Sequence, residues 1–390
     1  MRIAIVGGKL QGVEACYLAR KAGWRVCLID RRPDVPARGL CDEFRLADVC
    51  DHPTASGALA GADLILPALE DPTGLEALVG QAGQLSIPLA FDPAAYHISS
   101  SKLASDRLFA DLGLPAPRRW PQCPFPVIAK PSSGSGSRGV RIIRYEGELA
   151  AFFPQPRLMD GWVLQEFLEG PSFSIEVLGT PGNYQAVQVT DLFVDRGYDC
   201  MRVEAPTVLP AAQVEEFGQL ALRLAEAVQL KGLMDVEVIL NQGKLKVLEI
   251  DARLPSQTPT AVWWSSGFNI LNSLGDVFLR QFTPVGPLPC KRAVVYEHVH
   301  ATPLGLELGG EHVMAAAGPL RLIEGFFGAD EALSDYEPGC PDWQATLIST
   351  GRTRVEAHAK SCRVVAAIRR SLGAKQRPAV ASADWGGEAK

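Results

Sequence analysis

The chain opens on an apolar run at 3–6, passes through a segment containing Gly7, Gly8 and Gly12, and shows helical periodicity over 13–22 before Gly23 stops it. A second apolar run, 26–29, ends at Asp30. Strand, Gly-rich turn, helix and strand with a terminal acid make a Rossmann-like βαβ unit. Runs at 63–66 and 88–91, with a helical stretch over 73–82 between them, extend it into a parallel sheet. An amphipathic helix follows at 101–112, and the Pro-rich passage 115–126 marks a change of domain. Strands are expected at 126–131, 140–144 and 162–167, then alternating antiparallel strands at 173–178 and 186–193 and a helix at 213–228. The apolar runs 236–240 and 245–250 flank Asn241, Gln242 and Gly243 and predict a hairpin. A helix at 269–281, a strand at 294–299 and a closing helix at 354–372 complete the pattern, and the stretch beyond Gly373 has no apolar period and is expected to be disordered. The fold class is α/β followed by α+β. It divides into a Rossmann-like parallel-sheet domain (1–97), a small central domain (98–168), an antiparallel-sheet domain (169–372) and a tail (373–390).

Composition narrows the range of partners. The 390 residues are too many for one simple core, and 47% hydrophobic with 21% charged residues is ordinary for a globular protein. A net charge of −6 argues against a general nucleic-acid or anionic-membrane surface, so small specific ligands are expected. No apolar run reaches the length of a membrane span and no signal-peptide pattern precedes the first strand, which places the protein in the cytoplasm. The nine cysteines are scattered with no Cys-x-x-Cys pair, indicating reduced thiols rather than a disulfide framework or zinc site.

The chemistry concentrates on the hairpin. Glu237 on one strand and Glu249 and Asp251 on the other fall where pairing brings them together, and clustered carboxylates call for a cation. Hard oxygen ligands at few positions suit Mg²⁺, which takes its remaining oxygens from water and substrate phosphates. Arg253, again on that face, is placed to meet an anion. Upstream, Lys130 sits on a strand that leads into 132–139, a run of Ser and Gly with Arg138; serine hydroxyls, backbone amides and Arg138 can wrap a polyphosphate. A strand rather than a helix follows, and the Gly-Lys-Ser/Thr ending is absent, so this is a lid between strands and not a Walker A loop. Val163, Phe167 and Leu168 offer an apolar slot for an adenine ring. The Gly-Gly-x-x-x-Gly spacing of the first turn differs from the dinucleotide fingerprint Gly-x-Gly-x-x-Gly, which argues against NAD. Glu70 and Asp71 follow a strand's C-terminal end, where open α/β sheets bind ligands.

These pieces, in this order, resemble the ATP-grasp carboxylate–amine ligases over about residues 1 to 370. The resemblance implies an ATP-grasp fold, ATP and Mg²⁺ as cofactors, and a set of roles. Lys102 and Lys130 match the two lysines that hold the ATP phosphates, and Ser132, Ser135, Gly136, Ser137 and Arg138 match the lid. Glu166 and Leu168 match the hinge that contacts adenine through its backbone, with Glu169 or Glu176 as the ribose-binding acid. Glu237, Glu249 and Asp251 match the magnesium ligands, Asp251 standing where many members have Asn, and Arg253 matches the arginine on the substrate carboxylate or acyl phosphate. Further runs, among them 7–12, 198–200, 232–237, 250–262 and 296–298, look like the pyrrolysine-biosynthesis ligases. That family joins the carboxylate of 3-methyl-D-ornithine to the ε-amine of L-lysine through an acyl phosphate, releasing ADP and phosphate.

On this basis Asp199, Arg253, Ser256, Gln257, Thr258, Thr260, Glu297 and His298 are candidates for the diamino acid, and Lys9, Leu10, Gln11 and Glu70 for L-lysine. Arg253 and Lys130 carry the catalytic charge stabilisation. No protein nucleophile is required, and the base that frees the attacking amine stays open. A homodimer is the expected assembly. The alternatives are another ATP-grasp amino-acid ligase or carboxylase and, from a different class, a nicotinamide oxidoreductase.

Overall fold

The structure, a computed structural model, describes residues 1–134, 136, 137 and 139–373. Ser135, Arg138 and nearly all of the expected tail lie outside the described residues. Arg2–Val6 is the centre of a parallel sheet, flanked by Arg25–Asp30 and Leu64–Pro67, with Glu43–Leu46 at the outer edge. The first helix, Leu10–Lys21, starts one turn earlier than its apolar period suggests. Tight packing dictates the glycines before it. Gly7 has φ +109° and a Cβ there would lie 2.2 Å from the Ala68 carbonyl oxygen, while a Cβ on Gly12 would lie 2.1 Å from that of Gly7. The expected strand at 88–91 reduces to a single parallel bridge between Ile65 and Leu89, because Pro88 can accept from Ile65 but has no N–H to continue a ladder.

A small antiparallel sheet orders Arg141–Ile143, Val127–Pro131 and Trp162–Glu166 around its own apolar cluster, which includes Cys123, Val127, Leu149 and Leu164. The remainder builds an eleven-stranded sheet. Its order begins Lys244–Asp251, Gly232–Asn241, Ser172–Thr180, Thr190–Val194, Cys200–Ala205 and Ala293–Thr302. The strands from Gly305–Leu308 to Trp343–Gly351, which the apolar pattern does not predict, extend it, and Arg354–Ser371 packs across that end. Among the described residues no helix is long and apolar enough to cross a membrane, and all nine cysteines are unpaired.

Three features position the chemistry. The hairpin turn is made by Gln242 and Gly243, both at positive φ (+50° and +78°), the backbone that a tight two-residue hairpin requires. Pairing then sets Asp235 opposite Asp251 and Glu237 opposite Glu249, after which the register shifts between Glu237 and Val238. The shift is a bulge that changes the phase of the second strand: Leu245, Val247 and Ile250 enter the core, whereas Leu248, Glu249 and Asp251 face the other way. Finally, the helix Lys102–Asp111, capped by the Ser101 hydroxyl on the Ala104 amide at 3.3 Å, packs Phe109 into the core of the large sheet with Phe173 and Phe217. Hydrophobic contact therefore ties this helix to the antiparallel sheet rather than to the small one beside it in sequence. Phe109→Ala is expected to lower unfolding stability by about 3–5 kcal/mol, read by thermal or urea denaturation. A loss below about 1 kcal/mol would show that Lys102 is not anchored through this core.

Candidate functional site

The acidic face of the hairpin forms the floor of a cavity of 490 Å³ between the three sheets. Glu237 and Glu249 are directly opposed, and removal from water together with the neighbouring acids raises Glu237 to about 8. Burial raises Asp251 to about 6 despite Arg253. Glu249 behaves differently. Against the effect of burial, the Lys102 and Lys130 ammonium groups hold it below the usual carboxylate range. Lys102 Nζ lies 2.6 Å from Glu249 Oε1 and donates to the Gly134 carbonyl at 2.9 Å. Lys130 is buried, which lowers its own pKa. Arg253 reaches Glu70 at 2.7 Å and Asp251 at 2.8 Å.

Two orphaned atoms test whether the acids fit a cation and an anion. Asp251 Oδ1 and Arg253 Nε are both buried without a hydrogen-bond partner among the described residues. An oxygen donor set of Glu237, Glu249 and Asp251 with a spare lone pair fits Mg²⁺, and a spare guanidinium N–H beside it fits a carboxylate or phosphate. Buried polar groups are otherwise nearly always paired.

Of the other expected site residues, Gly136, Ser137, Glu166, Leu168, Glu169, Asp199, Ser256, Gln257, Thr258, Leu10, Gln11 and Glu70 all line this cavity. The Ser137 hydroxyl donates to the Tyr198 carbonyl at 2.7 Å, tying the lid to the large sheet. The Glu166 carboxylate is occupied by Arg118 and Lys246, at 3.0 and 3.1 Å. Glu169 is exposed at the rim, whereas Glu176 is fully buried. Gln11 donates to Glu70 at 2.8 Å.

Five residues are not brought there. The Ser132 hydroxyl accepts from the Leu103 amide at 3.2 Å, so it serves the start of the Lys102–Asp111 helix. Lys9 is exposed at the N-cap position of the first helix. The Thr260 amide donates to Glu14 at 2.6 Å deep in the interdomain core. Strand alternation separates the last pair. Glu297 faces the closing helix and accepts from Ser361, and His298 is buried against Thr346 at 2.9 Å, with burial lowering its pKa to about 3.

Two lining residues, Asp235 and Glu311, escape the sequence reading. Asp235 lies two positions before Glu237 on the same strand face, a signal period two already contained. Glu311, which accepts from Ser256 and from Gln257 at 2.9 Å, sits in a segment without apolar period and carries no such signal. A second cavity of 670 Å³, lined by Tyr96 and His97, meets the first at Glu70, Lys102, Glu249 and Asp251.

Solved structures share this architecture. The biotin carboxylase domain of Hydrogenobacter thermophilus 2-oxoglutarate carboxylase, solved with MgADP and bicarbonate, superposes with a TM-score of 0.70 at 16% identity, covering 90% of this chain and 86% of that one. The L-amino acid ligase from Bacillus licheniformis gives 0.67 at 16% identity, covering 95% and 96%. The ATP-grasp domain pattern itself matches residues 99–257, and the fold and cleft are those of an ATP-grasp protein. The 3-methyl-D-ornithine–L-lysine ligase of Methanosarcina mazei is 36% identical over 95% of this chain and 96% of its own length, and that of Methanosarcina barkeri is 35% identical over 95% and 99%. The chain belongs to the 3-methyl-D-ornithine–L-lysine ligase family.

Because Glu297 faces away from the cavity, Glu297→Ala is expected to change the apparent KM for ATP or either amino acid by less than about threefold. It should instead lower stability by about 1–3 kcal/mol through the unpaired Ser361 hydroxyl. A large rise in one amino-acid KM without destabilisation would return Glu297 to the site.

Proposed function

We propose that this chain joins the carboxylate of 3-methyl-D-ornithine to the ε-amine of L-lysine, consuming ATP and passing through an acyl phosphate, as a step of pyrrolysine biosynthesis. The observation that carries the reading is the nearly end-to-end match to ligases of that name. Supporting it is the cavity, whose lining brings Lys102, Lys130 and Arg253 together with Glu237, Glu249 and Asp251. D-Ornithine is the simplest stand-in for the donor.

In this reading Lys102 and Lys130 orient the phosphates, the lid at Gly136 and Ser137 excludes water, and the Phe167–Leu168 stretch receives the adenine. Arg253, with its spare Nε–H, holds the donor carboxylate against the γ-phosphate and then neutralises the tetrahedral oxygen. Mg²⁺ held by Glu237, Glu249 and Asp251 would neutralise charge on the phosphate oxygens during transfer. The lining residues Asp199, Ser256, Gln257 and Thr258 face the donor. The acceptor lysine approaches through the second cavity, past Glu70, Gln11 and Leu10, so that both amino acids converge at Asp251. The reading includes the domain division at about residues 97 and 168 and a cytoplasmic setting, supported by nine unpaired cysteines. It also includes a homodimer, the form in which the 2-oxoglutarate carboxylase domain was solved.

The test is ADP release with Mg-ATP, L-lysine and D-ornithine or 3-methyl-D-ornithine, with product mass recorded. The expected product has the summed mass of the two amino acids less one water. Chelating the divalent cation should abolish turnover, and Glu249→Gln should lower kcat by about 100-fold or more. ADP released without an adduct, whichever of the two donors is offered, would sink the assigned substrates. Turnover that survives chelation would sink the metal assignment.

A further inference from the structure

Where the cavity wall passes into the helix Thr258–Ser266, the chain goes through a strained residue. Gln257 has φ +76° and ψ −58°, and across it the Thr258 amide donates to the Ser256 carbonyl at 2.9 Å. That is a γ-turn of the rare hand, which a side chain disfavours and which persists only where its surroundings hold it. Gln257 also stands at the N-cap position, yet its side chain does not cap the helix. It donates instead to Glu311 and to the Cys200 carbonyl, at 2.9 and 3.4 Å. The amides at the helix start, which need acceptors, are met from another domain. Glu14, buried on the first helix, accepts from the Thr260 amide at 2.6 Å, and the Gln257 amide also favours its charged form. One carboxylate thus serves the two amides that a capping box divides between two residues of its own helix.

We infer that Glu14 is a positioning residue: it holds the strained turn at Gln257, so that Ser256, Gln257 and Thr258 keep their places in the cavity wall. Which amino acid that wall faces rests on the ligase reading above. The first helix makes the hold rigid. Gln11, Glu14 and Leu18 recur at helical spacing and share a face. Gln11 lines the cavity, and Glu14 takes the start of Thr258–Ser266. Further along, the Tyr17 hydroxyl accepts from Trp264, near the end of that helix, and the Leu18 carbonyl accepts from Asn269, both at 2.8 Å. The turn is therefore held through its backbone by Glu14 and through its side chains by Glu311, which accepts from Ser256 as well as Gln257. Burial raises Glu14 to about 7 against the hydrogen bonds from Thr260 and Gln257. An apolar residue of the same size would avoid that desolvation but would leave the two amides without an acceptor.

The experiment is steady-state kinetics of the full chain with Mg-ATP, L-lysine and D-ornithine, joined to hydrogen exchange of the unliganded protein. Glu14→Leu keeps most of the volume and removes the acceptor oxygens. It should raise the apparent KM for D-ornithine at least about tenfold, with kcat and the KM values for ATP and L-lysine changing less than about threefold. Exchange over residues 256–261 should quicken more than elsewhere. A merely structural role would lower the amount of active enzyme and leave every KM alone. Glu14→Gln retains an acceptor oxygen and should stay within about threefold of wild type in every KM. Glycine adopts positive φ without a side-chain penalty, so in the Gln257→Gly background Glu14→Leu should raise the D-ornithine KM less than about threefold. Glu14→Ala takes its place should the leucine variant not fold. An unchanged D-ornithine KM, an equal rise in all three KM values, or the same penalty in the Gln257→Gly background would overturn the inference. The two readings fail separately. Faster exchange over 256–261 with no lysine adduct from the wild-type enzyme sinks the ligase assignment alone, and normal ligation with exchange and KM unchanged in the variant sinks the positioning role alone.

Discussion

Carboxylates fixed on facing positions of adjacent strands repel, and the rest of this structure is arranged around that repulsion. Asp235 faces Asp251 and Glu237 faces Glu249 across a hairpin whose register the Gln242–Gly243 turn and the bulge at Leu248 fix. At about 5 Å and an effective dielectric near 20, two ionised carboxylates would cost about 3 kcal/mol, and protonation takes up part of this, Glu237 and Asp235 each being raised to about 8 by burial and the neighbouring acids. No rotamer relieves it, because neighbouring positions on the same face are also acidic. Further relief comes from cations, and Lys246, on the same strand face, is engaged by Glu166 at 3.1 Å. Lys102, Lys130 and Arg253 each arrive on a different segment, so the electrostatics of the floor require the helix at 102–111 and the small sheet to dock against it.

The docking surfaces are apolar, which lets the charges sit where hydrophobic contact puts them. Phe109 fixes the helix that begins with Lys102, and the Ser132 hydroxyl and carbonyl bind the amides of Leu103 and Lys102 at its start. Lys130 is held by pairing of its strand with Val163. On the far side, Tyr17 donates to Glu331 at 2.6 Å and accepts from Trp264 at 2.8 Å, joining the parallel-sheet domain to the large sheet beneath a shared core. Glu70 and Gln11 therefore face Arg253 from a rigid wall. The Gly- and Ser-rich lid has less behind it, and its described contacts to the body are the Lys102–Gly134 and Ser137–Tyr198 hydrogen bonds.

Much of this is legible in the sequence where a local rule decides it. The hairpin follows from alternation and turn residues, the helix at 102–111 from its periodicity, and the acids on one face from period two. What is illegible depends on partners distant in sequence. The bulge that sends both Leu248 and Glu249 to the cavity is defined only by pairing with Gly232–Asn241. Glu297 and His298 look like a polar site pair, yet adjacent strand residues point to opposite faces, and here Ser361 and Thr346 cover both. The short strands between 305 and 334 are broken by Gly and Pro and carry too few alternating positions to register. Glu311 belongs to that stretch, and only tertiary packing delivers it to Ser256 and Gln257.

The same fold serves carboxylases and amino-acid ligases at 16% identity, so the backbone does not select the substrate. The upper cavity, with its lysines and lid, suits any ATP-driven activation of a carboxylate. Selection falls to side chains at the floor. Among them Glu311 accepts from Ser256 and Gln257, a polar group contributed by segments outside the shared phosphate-facing elements. Side chains already fixed before binding need no reorganisation when a matching substrate enters.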